Sequence, residues 1–279
     1  MKNPRRKFIK EATFFSAATL LGGMTQLSAK SVNQVLDYPF TGANLKLKII
    51  VASDGHFGQP DTDYVKMHEE FIKDVNGLKG IDLVVFNGDL IHDEPALIPQ
   101  VKTYYDQLQV PYLTNKGNHD RISPTAWEST WGYPENHARE MNGVGLIFGS
   151  TSNEKGDYLC ADVDWLEEQV HRFKDLSTVL IFLHISQKDW TRHAVNCPDV
   201  MERLSKFDNL KAVFHGHDHD IDGLMYSGSK PYLFSGHMGG SWGTPHRGYR
   251  VVEVYEEGKV LSYLQTVLEH QIINLFQMG

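Results

Sequence analysis

The sequence predicts an α/β protein with two layers of sheet. Three observations carry that expectation. Short apolar runs suited to buried strands alternate with helical patterns between residues 45 and 214. From Asp222 onward the texture changes to short β-like runs separated by Gly, Pro and Ser clusters. No repeat, low-complexity block or linker interrupts the chain after about residue 42. Alternating strands and helices followed by a run of strands suggest a second sheet packed on the first.

The elements follow in order. Leu45–Ala52 is a strand whose Ile49-Ile50-Val51 run is apolar on both faces. Tyr64–Asn76 places Val65, His68, Ile72 and Val75 at helical spacing. Ile81–Phe86 is a second buried strand, and Pro95–Leu108 a second helical pattern. Tyr112–Thr114 and Gly145–Phe148 are short strands. Asp162–Asp175 reads as a helix with Asp162 or Asp164 as its N-cap, followed by Trp165, Leu166 and Val170. Val179–Leu183 and Lys211–Phe214 are strands. The terminal run comprises Leu224–Tyr226, Tyr232–Ser235, Tyr249–Tyr255 and Val260–Val267.

Length and composition fit one large domain: 279 residues, 41% hydrophobic and 22% charged. The net charge is −8. Residues 1–29 hold five basic side chains and one acidic one, so the remainder carries −12. An acidic body argues against a nucleic-acid polymer as partner. It is compatible with phosphate substrates, because bound cations reverse the local field. The two cysteines, Cys160 and Cys197, lack zinc-type spacing. A disulfide in an oxidising compartment and two unlinked thiols both remain open.

The N-terminus reads as an address. Arg5-Arg6-Lys7-Phe8-Ile9-Lys10 resembles a twin-arginine export core. The apolar stretch from Ala12 to Met24, broken by Ser16, Thr19, Gly22 and Gly23, is too short for a stable membrane span. Small residues near Ser28-Ala29 suit cleavage, which leaves residues 30–279 as a single mature domain. The expected partner is the twin-arginine export machinery, and the expected location is periplasmic or extracellular.

Five short polar motifs carry the chemistry: Asp54-Gly55-His56, Gly88-Asp89, Gly117-Asn118-His119-Asp120, His184, and Gly216-His217-Asp218-His219. Carboxylate and amide oxygens mixed with imidazole nitrogens suit two divalent ions held side by side. Two adjacent metals suit phosphate-ester hydrolysis, because they clamp phosphoryl oxygens and supply hydroxide near neutral pH. In this order the motifs resemble the calcineurin-like metallophosphoesterases, over about Leu45 to Glu256. Gly-Asn-His-Asp-Arg and the later Gly-Gly-Ser-Trp-Gly look most like the class III cyclic nucleotide phosphodiesterase branch.

The resemblance implies two facing mixed β-sheets flanked by helices, and a pair of divalent ions drawn from Mn, Fe, Zn or Co. Asp54, His56 and His219 would hold one ion. Asn118, His184 and His217 would hold the other, with Asp89 bridging. His119 would serve the leaving-group oxygen, with Asp120 hydrogen-bonded to it. The implied reaction is attack of a metal-bridging hydroxide on a small phosphodiester or phosphomonoester. Arg121, His92 and His237 are candidates for substrate contact, and Trp242, His246 and Arg247 for a lip over the metals. Two departures stand out. His92 occupies the place where purple acid phosphatases carry a metal-binding Tyr, and His184-Ile185-Ser186 replaces a common His-x-Pro. A phosphate-scavenging phosphomonoesterase is the alternative. A non-catalytic binding member is less favoured, since His119 and all seven ligand positions are intact.

Overall fold

The computed structural model describes residues 43–279, so the expected export signal lies outside the described residues. The chain runs β1 (Leu45–Ala52), α1 (Tyr64–Gly77), β2 (Leu83–Asn87), α2 (Ile98–Tyr105), β3 (Tyr112–Asn115) and α3 (Pro124–Trp131). It continues with β4 (His137–Met141), β5 (Val144–Gly149), α4 (Val163–Arg172), β6 (Val179–Leu183), α5 (Pro198–Leu204) and β7 (Leu210–His215). It ends with β8 (Leu224–Ser227), β9 (Lys230–Phe234), β10 (Gly248–Tyr255), β11 (Val260–Thr266) and β12 (Ile272–Met278). Among the described residues no helix is long and apolar enough to cross a membrane.

These strands make two mixed sheets of six, ordered β12-β11-β10-β1-β2-β3 and β4-β5-β6-β7-β9-β8. The two-sheet α/β expectation therefore holds, but the terminal strand run does not build the second sheet. It is divided. β8 and β9 extend the sheet of β5, β6 and β7, while β10–β12 extend the sheet of β1. The reason is an open edge. β2 and β3 add in parallel on one side of β1, and β10 pairs antiparallel along the other, with Ile49 opposite Val252.

Period-two alternation divides the apolar residues between layers. Leu47, Ile49 and Val51 face inward and meet Leu146, Phe148, Phe182 and Phe214 of the opposing sheet. The rings of Phe148, Phe182 and Phe214 stack at 4.7 and 5.2 Å. Ile50 and Ala52 turn outward to a separate core with Phe71, Val101 and Trp127 of α1–α3. The outer face of the second sheet packs Ile147, Ile181 and Val213 against Leu166 of α4 and Leu204 of α5. Asp162 caps α4, its side chain accepting from the Trp165 amide. Four elements escaped the apolar pattern. α3 and α5 span only eight and seven residues, and β4 and β12 are half-exposed outermost strands.

Two buried amides stitch the sheets together at their carboxyl ends. Asn87, the last residue of β2, donates to the Phe214 carbonyl at 3.1 Å. Asn115, the last of β3, donates to the Phe182 carbonyl at 3.2 Å and to Asn87 Oδ1 at 3.0 Å. Asn87→Ala orphans these partners and is expected to lower the urea-unfolding free energy by about 1–3 kcal/mol per orphaned group. An unchanged unfolding midpoint would show that the amides contribute nothing.

Candidate metal centre

Each candidate ligand lies just beyond the carboxyl end of a parallel strand, where open α/β sheets bind ligands. Asp54 and His56 follow β1, Asp89 follows β2, Asn118 follows β3, His184 follows β6, and His217 and His219 follow β7. The strands end together, so residues far apart in sequence arrive at one place. The backbone there is strained. Asp54, His56, Asp89 and His217 have φ of 58°, 45°, 51° and 67°. Left-handed non-glycine conformations cost roughly 1–3 kcal/mol each and persist where the surroundings over-determine them. Here the surroundings are bonds between loops. The amides of Asp54 and His56 donate to the Gly88 and Asp89 carbonyls, and the His217 amide donates to Asp54 Oδ2 at 2.9 Å. At Gly216 a Cβ would lie 1.7 Å from Ser53 Oγ and 2.5 Å from Asp54 Oδ2. At Gly88, φ is +90° and a Cβ would fall 2.3 Å from His184 Nδ1.

Two His/Asp clusters result, Asp54 with His56 and His219, and Asp89 with His184 and His217, and a third grouping of His56, His92 and His119 adjoins the first. In the first, His219 Nε2 lies 3.1 Å from Asp54 Oδ1 and 2.9 Å from His56 Nε2. In the second, His184 Nε2 lies 3.1 Å from Asp89 Oδ2, without the alignment of a hydrogen bond. Asp89 Oδ2 is also 3.7 Å from His56 Nε2, so one carboxylate oxygen faces both clusters. Its other oxygen accepts from the His119 amide at 2.8 Å.

The donor set fits a pair of cations. His184 Nε2, His217 Nε2 and Asn118 Oδ1 are buried without a hydrogen-bond partner, and such groups are costly unless something binds them. The Nδ1 atoms of His184 and His219 lie 2.7 and 3.1 Å from the Asn87 and Trp242 carbonyls. That contact places the proton on Nδ1 and leaves the Nε2 lone pair inward. Asp54 and Asp89 are buried carboxylates beside one another, and a divalent cation compensates such charge. Burial works to raise Asp54, but His219 and His184 outweigh it and hold its carboxyl below the usual range. Burial pulls His56 down to about 3 and His217 down to about 4, so both are neutral donors at pH 7. Burial would also lower His184, yet Asp89 and Asp54 push it up to about 10. Metal binding therefore competes with a proton there.

The surroundings of His119 differ from expectation. Its Nδ1 lies 2.9 Å from Asp93 Oδ1, an oxygen also 2.8 Å from Arg121 Nε. The expected bond from Asp120 is not made. Asp120 is fully buried, and its oxygens accept from the amides of Leu90, Ile91 and Gly117. Burial, then the Asp89 charge, raises its pKa to about 7. Asp120 shapes the loops, and Asp93 orients His119. Asp93 was readable only as an acid four residues after Asp89. Which acid turns toward His119 depends on loop geometry.

The substrate candidates separate. His92 Nδ1 lies 3.0 Å from His56 Nδ1, and its ring stacks on His119 at 4.9 Å. Arg121 is half-exposed beside His119. His237 is buried, with its two ring nitrogens 2.6 and 3.1 Å from the Gly239 and Thr244 carbonyls. It therefore braces the Gly-rich segment, and its ring stacks on that of His219 at 5.2 Å. From that segment Trp242 lies flat on the His219 ring at 4.3 Å. His246 and Arg247 turn away to Asp222 and Glu70. A Cys160–Cys197 disulfide joins the loops that follow β5 and β6.

The sequence profile of the calcineurin-like phosphoesterases matches residues 47–220. A Psychrobacter arcticus protein named probable cyclic nucleotide phosphodiesterase is 23% identical over 214 residues, 66% of this chain and 76% of that protein. An Arcobacter nitrofigilis protein named probable glycerophosphodiester phosphodiesterase GpdQ is 24% identical over 198 residues, 63% of this chain and 71% of that one. Among solved structures, a Danio rerio dimetal phosphatase aligns with a TM-score of 0.68 at 12% identity, over 85% of this chain and 99% of that one. A yellow lupin purple acid phosphatase aligns at 0.62 and 14% identity over 83% of this chain, which spans about half (53%) of the lupin chain. At these identities the structural likeness speaks for the fold alone.

Divalent metal added back to chelator-treated protein should raise the melting temperature by roughly several degrees, as expected of any ligand that binds only the folded state. Asp89→Ala should abolish both that rise and the metal measured by elemental analysis. A melting temperature indifferent to metal would count against the site.

Proposed function

The chain belongs to the calcineurin-like phosphoesterase family and is a metal-dependent phosphoester hydrolase; from that premise we propose that it is an exported enzyme acting on small phosphodiesters. One observation carries this reading: two His/Asp clusters meet at Asp89 with His119 beside them. The names of the relatives above support a diester substrate. Arg5-Arg6 with its flanking residues, and a disulfide suited to an oxidising compartment, support export through the twin-arginine route.

Asp54, His56 and His219 would hold one cation, Asn118, His184 and His217 the second, and Asp89 both. When bound, such a pair neutralises phosphoryl oxygens and acidifies an attacking water. The chain supplies the remainder. Asp93 occupies Nδ1 of His119, which leaves Nε2 to carry the proton given to the leaving alkoxide. The same carboxylate pairs with Arg121, whose guanidinium would meet a phosphoryl oxygen. Burial, then neighbouring His119, lowers the pKa of His92, so it stacks on His119 as a neutral ring.

His119→Ala should retain both metals and lose about 10²–10⁴ in turnover. Asp93→Asn should retain both metals and lose about 10–100-fold. Equal activity of His119→Ala and wild type would remove the proton-transfer role. A bis(4-nitrophenyl) phosphate and 4-nitrophenyl phosphate pair should show a higher kcat/KM for the diester. The reverse order would favour a phosphate-scavenging monoesterase. Expression in a host lacking the twin-arginine translocase should leave the uncleaved chain in the cytoplasm, and unimpeded export there would refute the route.

A further inference from the structure

The imidazoles of the metal centre are not all held by the same kind of partner. His184 and His219 turn Nδ1 to the Asn87 and Trp242 carbonyls at 2.7 and 3.1 Å. A carbonyl only accepts, so it fixes a proton on the ring nitrogen that faces it. His56 turns Nδ1 to a side chain instead, with Nδ1 of His92 at 3.0 Å. The backbone sets up that meeting. The amides of His56 and Phe57 donate to the Asp89 and Leu90 carbonyls, and the His92 amide donates to the Phe57 carbonyl at 3.0 Å. Phe57 and Ile91 form a parallel bridge within the same short ladder. The His92 ring then packs edge-on to His56 at 5.1 Å and flat on His119 at 4.9 Å.

His56 Nε2 faces the cluster, 2.9 Å from His219 Nε2 and 3.7 Å from Asp89 Oδ2. A neutral imidazole offers a cation its Nε2 lone pair only when the proton sits on Nδ1. Two N–H groups cannot face one another at 3.0 Å, so His92 Nδ1 must then accept. With that proton between them, neither Nδ1 has a lone pair left for another ion. The grouping of His56, His92 and His119 therefore joins a metal ligand to the proton donor and does not hold a third cation.

We propose that His92 is a positioning residue for the cation site of Asp54, His56 and His219. It accepts from His56 Nδ1, keeps Nε2 of that ring turned inward, and so sets the affinity of this one site. The role rests on the metal-centre reading and acts through His56, without contact to substrate. Partners that orient a ligating imidazole typically contribute about 10–100-fold in metal affinity. His184, in the other cluster, is oriented by a main-chain carbonyl, so a change at residue 92 leaves that orientation intact.

The test is calorimetric titration of the chelator-treated protein with manganese chloride. Phe at position 92 keeps a ring to stack on His119 but has no acceptor, whereas Asn keeps an acceptor at the δ position and has no ring. His92→Phe should weaken one of two binding events about 10–100-fold and leave the other within about threefold. His92→Ala should do the same, and His92→Asn should stay within about threefold of wild type at both. Saturating manganese should return most of the turnover of His92→Phe on bis(4-nitrophenyl) phosphate. Wild-type affinity at both sites in His92→Phe and His92→Ala would overturn the role, as would equal losses in His92→Asn and His92→Phe. So would unchanged affinity with a raised KM at saturating metal, the mark of a direct substrate contact. Wild-type protein that takes up no metal would overturn the metal centre itself, so the two readings fail separately.

Discussion

Asp89 is where the two halves of the sandwich meet. It leaves β2 of one sheet, yet its carboxylate faces His184 from the end of β6 in the other. The same oxygen looks toward His56, and the second oxygen receives the His119 amide. A fully buried carboxylate beside a second one, Asp54, is costly in a medium of low dielectric. Four imidazoles surround the two carboxylates, and a pair of cations held there would compensate their charge. The burial that shields the site from water would also strengthen the pull of such cations on a phosphoryl group.

That constraint explains features that would otherwise look like defects. Four ligand residues sit in left-handed backbone conformations, and several buried polar atoms lack protein partners. Both cost stability, and both are carried by rigid surroundings. The paired amides of Asn87 and Asn115 lock the strand ends. Asp120, with three backbone amides on its carboxylate, locks the loops above them. Asp120 is thus a builder of the site, and a neighbour already paired with Arg121, Asp93, orients His119.

Around this fixed centre the periphery is made from loops. Tyr158, His193 and Trp242 come from three separate segments, two of them joined by the disulfide. His237 braces the third from within.

The residues that gather at the candidate metal centre were legible in the sequence. Metal chemistry demands particular side chains, and each motif followed a run apolar enough to be a buried strand, so the end of that strand was marked. The main strands and α1 and α4 were legible for the same reason, through apolar periodicity. What the sequence left open depended on geometry between distant segments. Asp93 and Asp120 are both acids beside His119, and only the turn of the loop decides which one reaches its ring. That His237 is buried and bonded within its own segment was likewise not readable from its neighbours in the sequence. The terminal strands were recognisable as strands, but their division between two sheets depended on which edges the parallel units left unpaired. One-dimensional patterns encode which residues are buried and which donors are present. Which of them touch is decided by strand pairing and loop closure, and those exist only once the chain has folded.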